Sequence, residues 1–181
     1  MKRLGVLALV AVVAGTTLFA LQGQPDFVLR LRYPLRYEQI VRGHARNYDL
    51  DPALLAAVIY TESKFDANAK SGAGAIGLMQ LLPETAKGIA VRTGGKAFVV
   101  ADLYVPELNV RYGSWYLRNL LTRYGDERTA LAAYHAGQGN VDSWRRQGVG
   151  IQFAETRSYV AKVERVKDVY ASVYASELWP P

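Results

Sequence analysis

The chain is 181 residues long, with half of its residues hydrophobic and 11% aromatic, a composition typical of one folded domain. It has no cysteine, which excludes disulfides and cysteine-based metal sites, and its two histidines, His44 and His135, are far apart, so we predict no metal and no cofactor. The net charge of +6 favours an anionic partner, but zinc-finger, ribonucleoprotein and basic-heptad signatures are absent, so we predict no nucleic-acid binding.

Residues 1–21 are predicted to be a transmembrane anchor or a signal segment. Lys2 and Arg3 precede an uncharged run of 18 residues, 4–21, which is just long enough to cross a bilayer. A small-residue cleavage pattern does not follow, so we favour an uncleaved anchor over a cleaved signal. Both alternatives place the rest of the chain outside the cytoplasm, either anchored to the cell membrane or secreted to the periplasm or cell wall. Residues 22–37 are predicted to be a linker.

Residues 38–178 are predicted to form a single, almost wholly helical domain. Apolar residues at helical spacing indicate a first helix over 37–48. Asp51 and Pro52 are typical of an N-cap and a first helical position, which predicts a second helix over 51–64. A third helix is predicted over 83–91, where a proline again occupies the first turn.

The second half of the chain carries similar signals. A long helix over 106–124 is predicted to end at the following glycine, and Asp126 is placed to cap a helix that ends at Gly137. A glycine-broken turn with a short helix is predicted over 136–144, and a last helix over 155–174. Alternation of apolar and polar residues is scarce, so the predicted fold class is all-α, or α+β with at most a minor hairpin.

The segment SGAGAIGLMQLLPETA, residues 71–86, has the G-x-G-x-x-G spacing of a dinucleotide-binding loop at Gly72, Gly74 and Gly77. That motif has meaning only when a strand precedes it within a βαβ unit. Here a predicted helix precedes it. Nucleotide binding is therefore excluded, and the glycines need another explanation.

Glu62 is the strongest catalytic candidate that the residues themselves indicate. It follows Ile59 by three positions and Val58 by four, which places its carboxyl on the apolar face of the predicted helix. Burial raises the pKa of a carboxyl, and a raised pKa suits a general acid that must hold its proton near neutral pH. The alternative is a structural glutamate at a helix end, paired with Lys64 or another base.

Three blocks of the sequence resemble, in the same order, the motifs of the soluble lytic transglycosylases of glycoside hydrolase family 23. These blocks are ESKFDANAKSGAGAIGLMQLLPETA, LNVRYGSWYLRNLLTRYGDERTALAAYHAGQGNV and ETRSYVAKV, and the resemblance runs from about residue 33 to residue 170. It implies a lysozyme-like fold with a substrate cleft over 38–178. It also implies that the partner is the peptidoglycan glycan strand.

The resemblance implies roles for individual residues. Glu62 corresponds to the family's catalytic glutamate, which Ser63 follows. Tyr134 corresponds to a tyrosine near the acid. The last block supplies Glu155 and Tyr159, and the tyrosine is implied to donate a hydrogen bond to the catalytic carboxyl. The glycine-rich block is implied to line the substrate cleft with Ser71, Met79 and Gln80.

In this interpretation the glycine-rich block forms a wall of the cleft. Its glycines let the backbone turn and approach the glycan closely. Ser71 and Gln80 offer polar groups to the acetamido and hydroxyl groups of the sugar, whereas Met79 fills either the core or the cleft.

Two residues depart from the family's pattern. His135 replaces the asparagine of an AYNAG motif, and Leu82 replaces a methionine that many members carry. A neutral histidine reproduces only one of the two hydrogen-bonding functions of an amide. We therefore expect activity to be retained and the local geometry of the cleft to change. For His135 we favour a structural role beside the site over a catalytic one.

The resemblance implies a reaction in which water takes no part. Glu62 protonates the β-1,4 glycosidic oxygen between N-acetylmuramic acid and N-acetylglucosamine, with help from the acetamido group of the sugar. The same carboxylate then removes the proton from the C6 hydroxyl of the muramic acid, which attacks C1 and forms a 1,6-anhydro end.

Two other functions remain open from the residues alone. A hydrolase similar to goose-type lysozyme would use a second carboxylate, for which Asp66, Asp102 and Asp142 are the candidates. A tethered glycan-binding protein without turnover would be consistent with His135 and with the basic segment 29–37.

Overall fold

The structure, a computed structural model, describes residues 25–180, and the chain divides into two compact units after Pro34. The described part of the first unit contains one short helix, α1 (Asp26–Arg32). The predicted anchor, 1–21, lies outside the described residues, as does the beginning of the predicted linker. Within the described residues, no helix has both the length and the apolar character needed to cross a membrane.

The described part of the second unit is built from helices and the loops between them. They are α2 (Glu38–Asn47), α3 (Pro52–Ser63), α4 (Pro83–Thr93), a 3₁₀ helix (Val100–Tyr104), α5 (Pro106–Tyr124), α6 (Glu127–Ala136), α7 (Gln138–Arg146), α8 (Ala154–Val173) and α9 (Ala175–Leu178). In the part of the chain that the structure describes, β-type pairing is limited to two isolated bridges, Lys70 with Ile76 and Ile76 with Leu81. The all-α prediction is confirmed.

The predicted helix boundaries agree with the structure where capping residues are present. Asp51 Oδ1 accepts hydrogen bonds from the Ala53 and Leu54 amides at 2.8 and 3.4 Å. Asp126 Oδ2 accepts one from the Thr129 amide at 2.8 Å. The predictions did not include the 3₁₀ helix, α1 or α9, which are too short to show a helical repeat of apolar residues.

Helix α3 is the centre of the second unit. Its residues 53–60 are all buried, so the helix is apolar around its whole circumference and not only along the predicted stripe. It packs against α8 on one side and α2 on another. Such a helix must lie inside the fold. Its last turn, which carries Glu62, therefore begins in the core and ends at the cleft described below.

The buried side chain of Asn109 holds the loop between α3 and α4 against α5. Its Oδ1 accepts a hydrogen bond from the Met79 amide at 2.8 Å. Its Nδ2 donates to the carbonyls of Ile76 and Leu103 at 2.9 and 2.8 Å. The side-chain amide of Asn109 therefore forms hydrogen bonds through both of its hydrogens and through its oxygen. Through these bonds a loop without regular secondary structure has a fixed position.

The structure changes the explanation of Gly77. Its φ is +79°, and a Cβ atom at this residue would lie 2.3 Å from both Asn109 Nδ2 and the Leu103 carbonyl oxygen. The space that the glycine leaves is filled by the protein itself. The expectation that this glycine lets the backbone approach a glycan is therefore wrong. Gly77 is needed so that the loop can reach Asn109.

Asn109→Ala is expected to lower the free energy of unfolding by about 2–4 kcal/mol, because one buried N–H and two buried carbonyls would lose their partner. Urea denaturation measures the loss. The control is Asn140→Ala, which removes an exposed amide that donates to the Ala136 carbonyl at 2.7 Å. We expect the control to change stability by less than about 0.5–1 kcal/mol. Equal losses in the two variants would contradict the role given to Asn109.

Candidate active site

Glu62 and Tyr159 meet where the last turn of α3 packs against α8. The Tyr159 hydroxyl donates a hydrogen bond of 2.7 Å to Glu62 Oε1, across 97 residues of sequence. The tyrosine is 8% exposed, on a helix that also buries Val160 and Val163. The structure thus contains the hydrogen bond that the sequence resemblance implied between these residues.

Burial has the largest effect on the acidity of Glu62. It raises the pKa of this carboxyl from 4.5 to about 7, although the Tyr159 hydrogen bond and the positive charge of Lys162 both lower it. A pKa near 7 means that the acid and the carboxylate are both populated at neutral pH. This is the property needed by a group that donates a proton in one step and accepts one in the next.

Two tyrosines near Glu62 remain protonated. Burial raises the pKa of Tyr159 and of Tyr134 well above the usual range, and the negative charge of Glu62 adds to the effect. Tyr134, on α6, donates its hydroxyl to the Met79 carbonyl at 2.7 Å. Its ring packs against Tyr116 of α5, with 5.5 Å between the centroids. Tyr134 therefore holds the loop that faces the carboxyl.

Three predicted substrate-binding side chains form hydrogen bonds within the structure. The Ser63 hydroxyl donates to the Leu78 carbonyl at 2.8 Å. Gln80, which has a φ of +47°, donates through Nε2 to the Gly77 and Ala69 carbonyls at 2.9 and 3.1 Å. Ser71 Oγ accepts from the Ala75 amide at 3.0 Å. These bonds give the loop a defined shape without regular secondary structure.

A cleft of about 410 Å³ lies between this loop and α6. Of the predicted site residues, Glu62, Ser71, Gln80 and Tyr134 line it. The rest of the lining comes from the loop, from α4 and α5, and from the end of α6 with the residue that follows it. These residues are Ala73, Ala75, Leu81, Leu82, Thr85, Tyr116, His135, Ala136 and Gly137. The mixture of apolar walls and a few polar groups is typical of a ligand-binding cleft.

The other four predicted site residues are described by the structure but do not line this cleft. Tyr159 lies behind Glu62 and contacts it, and Ser63 points to the loop. Met79 is fully buried, so its side chain belongs to the core, whereas its carbonyl receives the Tyr134 bond. Glu155 is exposed on α8, and its charge acts on His135.

His135 lines the cleft and contacts Tyr159. Its Nδ1 lies 3.0 Å from the buried Thr156 Oγ1, and its ring centroid lies 4.5 Å from that of Tyr159. Burial lowers the pKa of His135, although Glu155 acts in the opposite direction. The lowered pKa favours the uncharged imidazole at neutral pH. Leu82, the other departure from the family pattern, is 45% exposed at the rim of the cleft.

The three candidates for a second carboxylate have other partners. Asp66 accepts from the Asn68 amide at 2.9 Å, and Asp102 from the Val99 amide at 3.0 Å. Asp142 pairs with Arg123 at 2.7 Å. Among the described residues, Glu62 is the only carboxylate that lines the cleft, and no group of three acidic or histidine side chains is arranged to hold a metal ion.

Sequence reasoning missed two residues that matter to the site. Lys162 lies three positions after Tyr159 on α8, so helical spacing could have placed it beside Glu62. Asn109 precedes Tyr112 by three positions and Tyr116 by seven, on the inward face of α5. A polar residue on that face was a signal for a buried hydrogen-bonding role.

Residues 39–154 match the family model described as the transglycosylase SLT domain. The chain is 40% identical over 129 residues to a transglycosylase of Enterobacteria phage PRD1. It is 34% identical over 152 residues to a soluble lytic murein transglycosylase of Salmonella typhimurium. These alignments cover 71% and 75% of this chain but only 42% and 23% of the relatives. The chain thus spans less than half the length of each.

The fold is similar to that of the lytic transglycosylase Slt from Pseudomonas aeruginosa, whose structure is of an inactive mutant with glutamine in place of a glutamate. The TM-score is 0.75 at 32% identity, and the match covers 82% of this chain and 26% of that protein. The 70-kDa soluble lytic transglycosylase of Escherichia coli gives a TM-score of 0.74 at 29% identity, over 79% of this chain and 25% of that one. The predicted lysozyme-like helical fold is confirmed.

Glu62→Gln is expected to stabilise the protein by an amount that grows as the pH rises from 5 to 7. Between the unfolded pKa of 4.5 and the folded pKa of about 7, the native state binds more protons than the unfolded chain, so the wild type loses stability as the pH rises. Glutamine carries no such proton. Urea denaturation of both proteins across this pH range measures the difference.

The control for this measurement is Asp168→Asn, which changes an exposed aspartate on α8. Its stability relative to the wild type is expected to stay constant from pH 5 to pH 7. A constant difference for Glu62→Gln as well would show that the Glu62 carboxyl does not carry the raised pKa.

Proposed function

The chain belongs to the transglycosylase SLT domain family, and on this premise we propose that it is a peptidoglycan lytic transglycosylase. It cleaves the β-1,4 bond between N-acetylmuramic acid and N-acetylglucosamine and leaves 1,6-anhydro-muramic ends. The observation that carries the proposal is the Glu62 carboxyl, whose pKa is about 7 and which lines a glycan-sized cleft beside Tyr159.

In the first step, Glu62 acts as the general acid. Tyr159 donates to Oε1, so the proton to be transferred resides on Oε2. That proton passes to the glycosidic oxygen while the bond from this oxygen to C1 of the muramyl residue breaks. The acetamido oxygen of the same residue stabilises the positive charge that develops at C1. General acid catalysis of this kind accelerates a reaction by about 10²–10⁴.

In the second step, the Glu62 carboxylate acts as the base. It takes the proton of the muramyl C6 hydroxyl, whose oxygen bonds to C1 and closes the anhydro ring, and this proton transfer restores the acid. Tyr159 and Lys162 favour the charged form and so make the carboxylate accessible between the steps. An acceptor within the substrate also has a large proximity advantage over water.

A hydrolase with the same scaffold is the second candidate function. It would need a base to activate water, and the group in the cleft with that chemistry is the uncharged imidazole of His135. The two reactions differ in their products. A glycan-binding protein without turnover receives no support from the site, because a buried acid with a pKa near 7 adds nothing to glycan binding.

The proposed domain organisation is an anchor over 1–21, a linker over 22–37 and a catalytic domain over 38–178, with the catalytic domain outside the cytoplasm and held to the membrane. The support is the uncharged run 4–21 behind Lys2 and Arg3. It agrees with the proposed substrate, which lies outside the cytoplasmic membrane.

Digestion of purified peptidoglycan tests the reaction. The wild type is expected to release muropeptides that are one water lighter than hydrolytic products and that borohydride does not reduce. Glu62→Gln is expected to lose at least about 10²-fold in rate, since its amide has no proton to give. The control Asp66→Asn, outside the cleft lining, should match the wild type. Reducible products would establish the hydrolase, and an active Glu62→Gln would remove Glu62 from its role.

Cell fractionation with N-terminal sequencing tests the anchor. The full-length chain is expected in the membrane fraction with its first residues intact, because the apolar run lacks a cleavage pattern. Replacing Leu9 and Val12 in this run with lysine should release the protein from the membrane. A soluble mature protein that begins near Gln22 would show that the segment is a cleaved signal.

A further inference from the structure

The chain enters the catalytic domain at a fixed place. The Leu35 amide donates a hydrogen bond to the Tyr174 hydroxyl at 3.2 Å, and Tyr174 is buried at the end of α8. Helix α2 begins at Glu38, shortly after Leu35, and α9 packs against it. The entry point of the chain therefore lies beside α2 and α9.

The length of the connecting segment limits the distance between this entry point and the predicted anchor. Residues 22–35 follow the anchor, and α1 takes up half of them. A helical residue advances the chain by about 1.5 Å and an extended residue by at most about 3.6 Å, so the segment reaches at most about 35 Å. With the proposed anchor in the bilayer, the entry point stays within about one domain diameter of the membrane surface.

Positive charge is concentrated around the entry point. Residues 30–46 contain five arginines and one acidic residue, Glu38, which gives this segment a net charge of +4 out of +6 for the whole chain. Two of these arginines, Arg36 and Arg46, are exposed in the catalytic domain. An anionic lipid surface attracts arginines that lie within about a Debye length of it.

Acidic side chains that neighbour this segment have partners within the domain. The pairs are Glu38 with Arg42, Asp49 with Arg118, Asp51 with Lys167, and Glu177 with the Ser176 hydroxyl. In the described part of the chain, Arg36 and Arg46 form no ion pair. Their charges are therefore available to an external anion.

A hollow of about 300 Å³ lies beside α2. Arg42 and Arg46, one helical turn apart, line it together with Trp179 and Pro180. Trp179 is 47% exposed, although the preceding Leu178 is buried. Tryptophan combines a large apolar ring with an N–H donor, and it is enriched where proteins meet the interface between membrane and water. Arginines beside an exposed tryptophan suit a phospholipid surface, which is anionic at its headgroups and apolar beneath them.

Helix α3 connects the hollow to the catalytic site. Its first residue, Pro52, lines the hollow, and Glu62, in its last turn, lines the cleft. At about 1.5 Å per residue the two residues lie about 15 Å apart along the helix axis. A membrane that contacts the hollow would therefore lie at the opposite end of α3 from the catalytic carboxyl.

We propose that this region, the docking face (Arg36, Arg42, Arg46 and Trp179), lies on the anionic lipid surface of the membrane that holds the anchor. This inference rests on the proposed function and its anchor. The short connecting segment and the docking face together hold the cleft at one height above the bilayer, directed away from the lipid. The substrate is then the glycan strand that lies next to the membrane.

Quenching of a single dye tests the docking face. The chain has no cysteine, so Pro180→Cys supplies one thiol at the hollow for a fluorescent label. The full-length protein is inserted into phosphatidylcholine vesicles with or without phosphatidylglycerol, and quenching by lipids with a spin-labelled headgroup is measured. We expect quenching with phosphatidylglycerol. We expect it to disappear without this lipid, or at a salt concentration of about 1 M, where the Debye length falls to about 3 Å.

The control position for the dye is Leu82→Cys, because Leu82 is 45% exposed at the rim of the cleft. A dye there is expected to show little quenching in either kind of vesicle. Equal quenching at the two positions would overturn the docking face, since the domain would then have no preferred orientation on the membrane.

Arg36→Gln/Arg46→Gln is expected to lower the ratio of docked to undocked protein about thirtyfold, the effect of two arginines near an anionic surface. Both side chains are exposed, so the fold is retained. The control Arg111→Gln/Arg146→Gln removes the same charge from exposed positions on α5 and α7 and should dock like the wild type. Equal effects of the two variants, or no effect of either, would overturn the docking face.

Docking is measured without substrate, which separates this inference from the proposed function. An undocked protein that releases anhydro-muramic products would overturn the docking face alone. A docked protein that releases no such products from peptidoglycan would overturn the proposed reaction alone. A protein that binds soluble polyphosphate through Arg36 and Arg46, but not the vesicle surface, would also overturn the docking face and would assign these arginines to an anionic polymer.

Discussion

The burial of the Glu62 carboxyl at the end of α3 is the constraint on which the rest of the site depends. Burial raises its pKa to about 7, while Tyr159 and Lys162 act against burial by favouring the charged form. If burial acted alone, the carboxylate would be too unfavourable to form after the proton is given up. If the two partners acted alone, the group would be ionised at neutral pH and could not serve as an acid. The proposed chemistry depends on the balance between these effects.

The architecture supplies this balance through one central helix and its partners. Helix α3 is buried along residues 53–60, which carries the end of the helix into an environment where a carboxyl is desolvated. Helix α8 packs against it and delivers Tyr159 and Lys162 from one face. The loop opposite Glu62 has almost no regular structure, so side chains must fix it, and Asn109, Ser63 and Tyr134 do so from three different helices.

The predictions made from the sequence succeeded where the signal is local. Asp51 and Asp126 cap helices because a capping side chain acts on amides two or three residues away. The position of Glu62 follows from helical spacing in the same way. The partners of Asn109 and Gly77 could not be predicted, because they depend on a contact between a loop and a helix about thirty residues apart. The motif resemblance identified residues in and around the cleft. In the structure some of these residues line the cleft, and others support the residues that line it.

His135 illustrates how a departure from a family pattern can be accommodated beside a sensitive acid. A positive charge near a carboxyl favours the ionised form, so a protonated imidazole at this position would lower the pKa of Glu62 and weaken it as an acid. Partial burial acts against this by lowering the pKa of His135, and the imidazole contacts Thr156 and the Tyr159 ring. Histidine can therefore stand where an uncharged amide is usual. The environment that raises the pKa of Glu62 by desolvation also lowers that of His135.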